Sequence, residues 1–379
     1  MRNTSIDMRD NMIIGNTATE VVKKTIEFVL KNGTKRKIFG GTIPKNISDP
    51  KSPNDFYRGM VEMDYPITVV LTNPLKNWSD YSRQSTFISL REQEDHYQHY
   101  NPGHVIKYSK LYNRWLVDGY FNYTYGERLC AYPYNINEIS GIHKGRTSDF
   151  NQIERVIKLL RKNPTSRKIC ISVWFPTVDL GNNYCPCNAF FQLRIIDNKL
   201  SWTTVVRSLD VLRGFTENIF MFTHWMQYIA SRLGVELGSY KSSVLNAHIY
   251  KDQIDTGYHK QNMPDPYDYY KPQHAFDKPF PSDEMKDIDE LLFKDYDGKD
   301  SRKIQFLCES LPEYWKNWKL ALVADWYRQR HLIPIVMSII PQITNEFAFP
   351  VARYTKKFNP DVIDLLPWDK QREYLKEHD

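Results

Sequence analysis

The residues with the clearest chemical potential are Cys185-Pro186-Cys187-Asn188, which stand directly before an apolar, strand-like run. Two thiols so placed admit three readings. As zinc ligands they are badly spaced, because no second cysteine pair and no histidine cluster accompanies them, and no metal is expected. As structural groups they would be buried and inert, as free cysteines often are. As a nucleophile, one of them needs an electropositive neighbour to favour the thiolate. Arg207 can serve if a hairpin brings it close.

Further segments follow in order: PCNAFFQLRIIDNKL, VVRSLDVLRG, ENIFMF, LGVELGSY and NAHIY. Through them the stretch from about Asp149 to Tyr250 resembles the thymidylate synthase and pyrimidine hydroxymethylase superfamily, over about a hundred residues. The Pro-Cys-Asn sequence is most similar to the branch that includes phage enzymes making modified deoxyuridylates. The resemblance implies an α+β thymidylate synthase fold, a large twisted mixed sheet with flanking helices that forms a homodimer through the sheet. It also implies a C1-transferase working on deoxyuridylate with 5,10-methylenetetrahydrofolate.

Carried over by motif, Cys187 matches the nucleophile that adds to C6 of the pyrimidine. That addition turns C5, otherwise a poor nucleophile, into an enolate carbon that attacks an electrophilic one-carbon unit. Arg207 and Ser208 match the phosphate-binding pair, and a guanidinium fork suits a dianionic phosphate. Arg58, in Tyr57-Arg58-Gly59-Met60, resembles a further phosphate-loop arginine. Ser166-Arg167-Lys168 resembles the segment that reaches the partner subunit's phosphate, with Lys168 in place of a second arginine. That match implies an obligate homodimer.

Asn218 matches the residue that reads the pyrimidine edge. A carboxamide accepts from N3–H and donates to O4, which selects uracil, whereas a carboxylate suits cytosine. Read locally, the alternative for Asn218 is an N-cap for the helix that follows. Asp210 matches the carboxylate that holds the ring and part of the folate, and Gly214 falls with it on the cofactor side. His248 and Tyr250 match the pair on the sugar hydroxyl. Tyr125 resembles a tyrosine near the C5 proton, and Gln192 follows the nucleophile at the family spacing.

Four departures bear on the product. Asn188 replaces the commonest histidine after the nucleophile. Ser85 to Leu90 aligns with the helix that usually holds a catalytic glutamate but contains no acid, and Glu92 is the nearest candidate. Tyr112 to Trp115 departs from the tryptophans that shield the methylene intermediate, and the sequence ends LKEHD rather than in a short apolar closing tail. A more polar, less sealed site favours attack by water on that intermediate. The expected reaction is therefore hydroxymethylation of deoxyuridylate. The alternatives are reductive methylation to thymidylate and a catalytically inactive nucleotide-binding homologue.

The elements that position these groups are partly legible. Val21 to Leu30 reads as a helix closed by Asn32-Gly33, and Ile67 to Leu71 as a strand. Pro44 to Pro53 reads as a loop. Asn151 to Lys162 has helical spacing with Asp149 as N-cap, and Ile169 to Phe175 reads as a strand. Ala189 to Ile196 and Leu200 to Val206 form a hairpin around Asp197-Asn198, and Asn218 to Leu233 is an apolar helix stopped by Gly234. Residues 257 to 302 read as loop and surface decoration, followed by a helix from Tyr314 to Arg330.

Composition sets the bounds. At about 150 residues per domain, 379 residues suggest two or three units, or one large domain with insertions. The expected organisation is a catalytic core over 1–250, divergent over 1–148, followed by the rest of the fold with a largely helical extension over 251–379. A net charge of +6 suits an anionic small substrate, and no direct nucleic-acid or membrane partner is expected. Five cysteines, an odd number, argue for a reducing compartment. The most apolar stretch, Leu332 to Pro341, is too short to span a bilayer, and the N-terminus has no secretory h-region. A soluble cytoplasmic protein is expected, in the host cytoplasm if it is phage-encoded.

Overall fold

The computed structural model describes residues 11–37, 59–79, 81, 86–98, 103–108, 116–132, 150–182, 185–260 and 263–377. Arg58, Ser85, Asp149 and the stretches Pro44 to Pro53 and Tyr112 to Trp115 lie outside the described residues. The chain divides into two compact units, Met1–Arg83 with Leu111–Met263, and Gln84–Lys110 with Pro264–Asp379.

In the first unit the strands are β1 (Met12–Gly15), β2 (Thr34–Lys37), β3 (Gly59–Glu62), β4 (Ile67–Leu71), β5 (Leu116–Val117), β6 (Tyr120–Phe121), β7 (Cys170–Ser172), β8 (Asn188–Ile196), β9 (Lys199–Val206), β10 (Leu209–Asp210), β11 (Glu236–Val244) and β12 (Ala247–Tyr250). Six of them build a mixed sheet in the order β1-β4-β11-β9-β8-β7. Its faces differ because side chains alternate along each strand. On β9, Leu200, Trp202, Thr204 and Val206 are buried, while Lys199, Ser201, Thr203 and Val205 are not. The buried face packs on two helices, α1 (Ala18–Asn32) and a later one over Phe215–Leu233. Phe222 of that later helix meets Phe191 at 4.6 Å between ring centroids. The fold is α+β, a large mixed sheet with flanking helices, as expected.

Local chemistry explains the boundaries. Thr17 caps α1 by accepting from the Glu20 N–H, and Val21, Val22, Ile26 and Val29 supply its buried stripe. Two further helices are α2 (Tyr125–Cys130) and α3 (Gln152–Lys162). The N-cap of α3 is Asn151, whose side chain accepts from the Glu154 N–H, two residues beyond the expected Asp149. Strand β7 is shorter than the expected Ile169 to Phe175, because Pro176 opens a helical turn after it. Asp197 and Asn198 both have positive φ, 49° and 60°, the handedness a tight two-residue hairpin needs between β8 and β9.

Helix α4 (Phe215–Leu233) starts three residues before the expected Asn218, with Gly214 as N-cap. The Asn218 N–H bonds the Gly214 carbonyl at 3.0 Å, so Asn218 lies one turn inside the helix and the N-cap reading of it falls. Gly234, at φ 69°, ends α4 in the left-handed conformation as expected. A second sheet has the order β10-β12-β3-β2, and α5 (Lys251–Asp255) follows β12.

The second unit is helical among its described residues. The helix Glu313–Arg328 is close to the expected one and buries Trp315, Trp318, Leu322 and Tyr327. The segment read as loop from 257 to 302 instead contains a helix, Ser282–Leu292, because Met285, Ile288 and Leu292 recur at helical spacing and are buried. A buried ionic group sits in this unit: Arg91 bonds Asp289 at 2.7 Å, and Lys319 bonds Glu94 at 2.6 Å and Asp289 at 2.9 Å. Such charges are tolerable only when mutually paired, and these are. No helix among the described residues is long and apolar enough to cross a membrane.

Candidate active site

The β8–β9 hairpin places Cys187 under Arg207. Asn188 at the start of β8 pairs with Val206 at the end of β9, and the Arg207 N–H donates to the Cys187 carbonyl at 2.9 Å. The guanidinium then clamps the cysteine turn. Its Nε donates to the Pro186 carbonyl at 2.9 Å, and Nη2 donates to both the carbonyl and the Sγ of Cys185 at 3.1 Å. Trp174 braces the same turn, its Nε1 donating to the Pro186 carbonyl at 2.8 Å. Burial pushes the Cys187 thiol up, Arg207 opposes it, and Cys185 and Asp210 push the thiol further up. The resting group is therefore a thiol at neutral pH.

The register of β8 against β9 shifts between Asn188 and Phe190. Asn188 is fully buried, and its Nδ2 donates to the Tyr125 hydroxyl at 2.7 Å and to Asn218 Oδ1 at 3.4 Å. Its own Oδ1 is buried without a hydrogen-bond partner, an acceptor left for a ligand N–H or a water. Tyr125 opens α2, and α2 is anchored by the buried pair of Arg128 Nη2 with Asp179 Oδ1 at 2.9 Å. Three elements thus meet at one polar cluster in an apolar surround.

Asp210 forms a carboxylate ledge beside this cluster. Its Oδ1 accepts the backbone N–H groups of Leu212 at 3.1 Å and Arg213 at 3.0 Å. Gln253 Nε2 donates to Oδ1 at 3.0 Å and Oδ2 at 3.2 Å. Burial pushes Asp210 up, with His248 the leading opposing influence. The parallel pair β10–β12 sets His248 opposite Asp210, and burial pushes the imidazole down, favouring its neutral form. The His248 and Tyr250 rings meet edge to face at 4.9 Å.

The structure therefore brings Cys187, Asn188, Tyr125, Arg207, Asp210, Asn218, His248 and Tyr250 into linked contacts within one unit. Ser208 follows Arg207, half-buried, and Gly214 donates its N–H to the Asp210 carbonyl at 3.0 Å. Gln192 lies apart on the opposite side of the sheet from Phe191, its Nε2 donating to the Arg167 carbonyl at 3.5 Å. Arg167 and Lys168 are exposed before β7. Glu92 belongs to the second unit, on the helix Thr86–Tyr97, with its Oε1 3.9 Å from His96 Nε2. Gln253 and Trp174 were not singled out from the sequence, and Cys185 was weighed there only beside Cys187 and given no role. Only the cysteine had a local signal, its place two residues before Cys187.

The family described as thymidylate synthase has a sequence model that matches residues 73–308, more than half of the chain. A protein named "Putative thymidylate synthase" from Methanosarcina acetivorans is 35% identical over 135 residues, 36% of this chain and 56% of its own length. A protein of the same name from Methanosarcina mazei is 32% identical over 135 residues, again 56% of its length. One from Methanocaldococcus jannaschii is 31% identical over 150 residues, 38% of this chain and 62% of its own. The chain thus spans little more than half the length of these curated relatives.

Proposed function

Because the chain belongs to the thymidylate synthase family, we propose that it transfers a one-carbon unit to C5 of deoxyuridylate through a covalent bond between Cys187 and C6, giving thymidylate. The observation that carries the reading is the Cys187 turn held under Arg207 and bordered by the Asn188–Tyr125–Asn218 cluster and the Asp210 ledge. The names of the relatives favour the methyl product.

Each side chain has a chemical task in this reading. Cys187 adds to C6 as a thiolate, and the cationic Arg207 stabilises that form in a buried setting that otherwise opposes it. Arg207 Nη1 makes no hydrogen bond among the described residues, which leaves a donor for the substrate phosphate, with Ser208 beside it. Asn218 reads the uracil edge, and Asn188 holds it and Tyr125 in register. Tyr125 faces the C5 proton, and His248 with Tyr250 take the sugar hydroxyl. Arg58 adds a further phosphate contact, Arg167 and Lys168 reach the partner subunit's phosphate in a homodimer, and Gln192 contributes to substrate binding.

The folate fits the donor set. Asp210 Oδ2 accepts from Gln253 alone among neutral donors, with Arg213 Nη1 3.8 Å away, so the carboxylate retains acceptor capacity for the N–H groups of a pteridine. Asp210 and Gly214 would hold it, and when bound it supplies the electrophilic carbon and, for a methyl product, the hydride. The chain's own residues orient the pyrimidine beneath it and limit water.

Hydroxymethylation is the second reading, favoured by one observation. The unpartnered Asn188 Oδ1, buried beside the nucleophile, is an acceptor able to hold an attacking water. Mass spectrometry of the nucleotide after incubation with deoxyuridylate and methylenetetrahydrofolate, with dihydrofolate absorbance in parallel, separates the two. A methyl product with stoichiometric dihydrofolate is expected. A hydroxymethyl product without dihydrofolate moves the assignment to the second reading. No product, together with no covalent adduct on 5-fluorodeoxyuridylate, leaves a nucleotide-binding homologue and removes the enzyme reading.

A further inference from the structure

The Asp210 carboxylate is faced by titratable groups from several elements. His248 approaches from β12, Arg213 follows on the turn after β10, and the Cys187 thiol lies on the side of the cysteine turn. Arg213 is itself paired with Asp252 of α5, while Glu62 and Arg207 act on His248. Within this set one neutral side chain touches the carboxylate. Gln253 of α5 is fully buried, and its amide donates to both Asp210 oxygens at 3.0 and 3.2 Å. Its carbonyl oxygen accepts the Tyr250 N–H at 2.9 Å. One amide thus spans from the carboxylate on β10 to the backbone of the tyrosine at the end of β12.

We propose that Gln253 is the positioning residue of this site, holding the Asp210 carboxylate ionised and in a fixed orientation while tying it to the backbone of Tyr250. The inference rests on the one-carbon-transfer reading for its catalytic consequence, not for its geometry. An amide suits the task because it donates at one end and accepts at the other without adding charge. Hydrogen bonds to the charged form of a carboxylate lower its pKa and so counter the effect of burial, which here pushes Asp210 up. A fixed carboxylate presents the same acceptor to each incoming pteridine, and the tie to Tyr250 makes its place depend on the strand that carries the sugar-binding pair. Arg213 cannot replace it, being engaged with Asp252 and standing 3.8 Å from Asp210 Oδ2.

The test reads Asp210 itself. In protein labelled with carboxyl-carbon-13 aspartate, the Asp210 signal is assigned by its loss in Asp210→Asn and titrated in the full chain and in two variants. Gln253→Leu removes both hydrogen bonds at similar volume, and the Asp210 midpoint is expected to rise by about one pH unit or more. Gln253→Glu keeps the size and the acceptor for Tyr250 but sets a second carboxyl against Asp210, and a larger rise is expected; it supplies the comparison if the leucine variant does not fold. In the activity assay, the acidic limb of kcat/KM should move up with the midpoint, and KM for the folate should rise about tenfold while that for the nucleotide changes little. An unmoved Asp210 midpoint in a folded variant overturns the proposal whatever the activity. A moved midpoint in the variants, with an unaltered chain that makes no product, sustains the positioning role and sinks the one-carbon reading instead.

Discussion

At the scale of single residues, the site sets a buried thiol, the proposed nucleophile, against one cation. Burial pushes the Cys187 thiol above its ordinary value of 9.0, so its thiolate fraction is small at neutral pH and grows as pH rises. Alkylation of Cys187 by iodoacetamide, followed by peptide mass spectrometry, should therefore accelerate continuously through pH 9. Arg207→Gln removes the opposing cation, moves the midpoint further up, and should slow alkylation at pH 8 by about tenfold. Faster alkylation of the variant would mean that the guanidinium shields the thiol rather than activating it. The order of motifs made Cys187 and Arg207 visible together in the sequence. That the same guanidinium also contacts Cys185 Sγ could not be seen, because it depends on how the turn folds.

At the scale of elements, the hairpin between β8 and β9 does the positioning, and its turn is where local chemistry is least forgiving. Asn198 sits at φ 60°, a conformation that asparagine tolerates and a β-branched residue does not. Asn198→Val should destabilise the protein by about 1–2 kcal/mol in urea titrations, whereas Asn198→Gly should be near neutral. Equal midpoints for the two variants would show that the turn does not control the hairpin. The second glycine of the LGVELGSY motif has a similar logic that only the fold displays. Gly238 lies where β11 bulges against β9, and a Cβ there would stand 2.5 Å from Ser201 Oγ and 2.9 Å from the Leu200 carbonyl oxygen. Helix Ser282–Leu292 escaped the sequence reading because its three buried apolar residues are outnumbered by charges and follow a proline-rich stretch.

At the scale of the whole molecule, the six-stranded sheet of the first unit has one face packed on helices and, among the described residues, exposed apolar side chains on the other. Phe190 is 42% exposed and Ile196 46% exposed on β8, and Ile14 of β1 is 49% exposed. Apolar side chains of this kind, interleaved with Thr203 and Val205, suit a self-complementary face, which is what the proposed homodimer needs. Light scattering should give a dimer for the unaltered chain and a monomer for Phe190→Asp, with product formation reduced by about a hundredfold or more. A monomeric unaltered chain that is fully active would remove the cross-subunit phosphate site, and with it the assigned part of Arg167 and Lys168.

The sequence by itself determined the family and the order of the motifs, and with them the cysteine proposed as nucleophile, because these depend on residue types at fixed local spacing. It also determined the strands and helices with strong periodicity: α1, β4, the β8–β9 hairpin and most of α4. The tertiary structure decided which groups touch. Asn188 reaches Tyr125 across 63 positions of chain and Gln253 reaches Asp210 across 43, and no local pattern encodes such a contact. It also decided that Asn218 serves inside a helix rather than at its cap, because the Gly214 N-cap that displaces it is set by the turn after β10. Local chemistry selects the elements. Packing of those elements on one sheet selects the partners, since a hydrogen bond depends on distance in space and not along the chain.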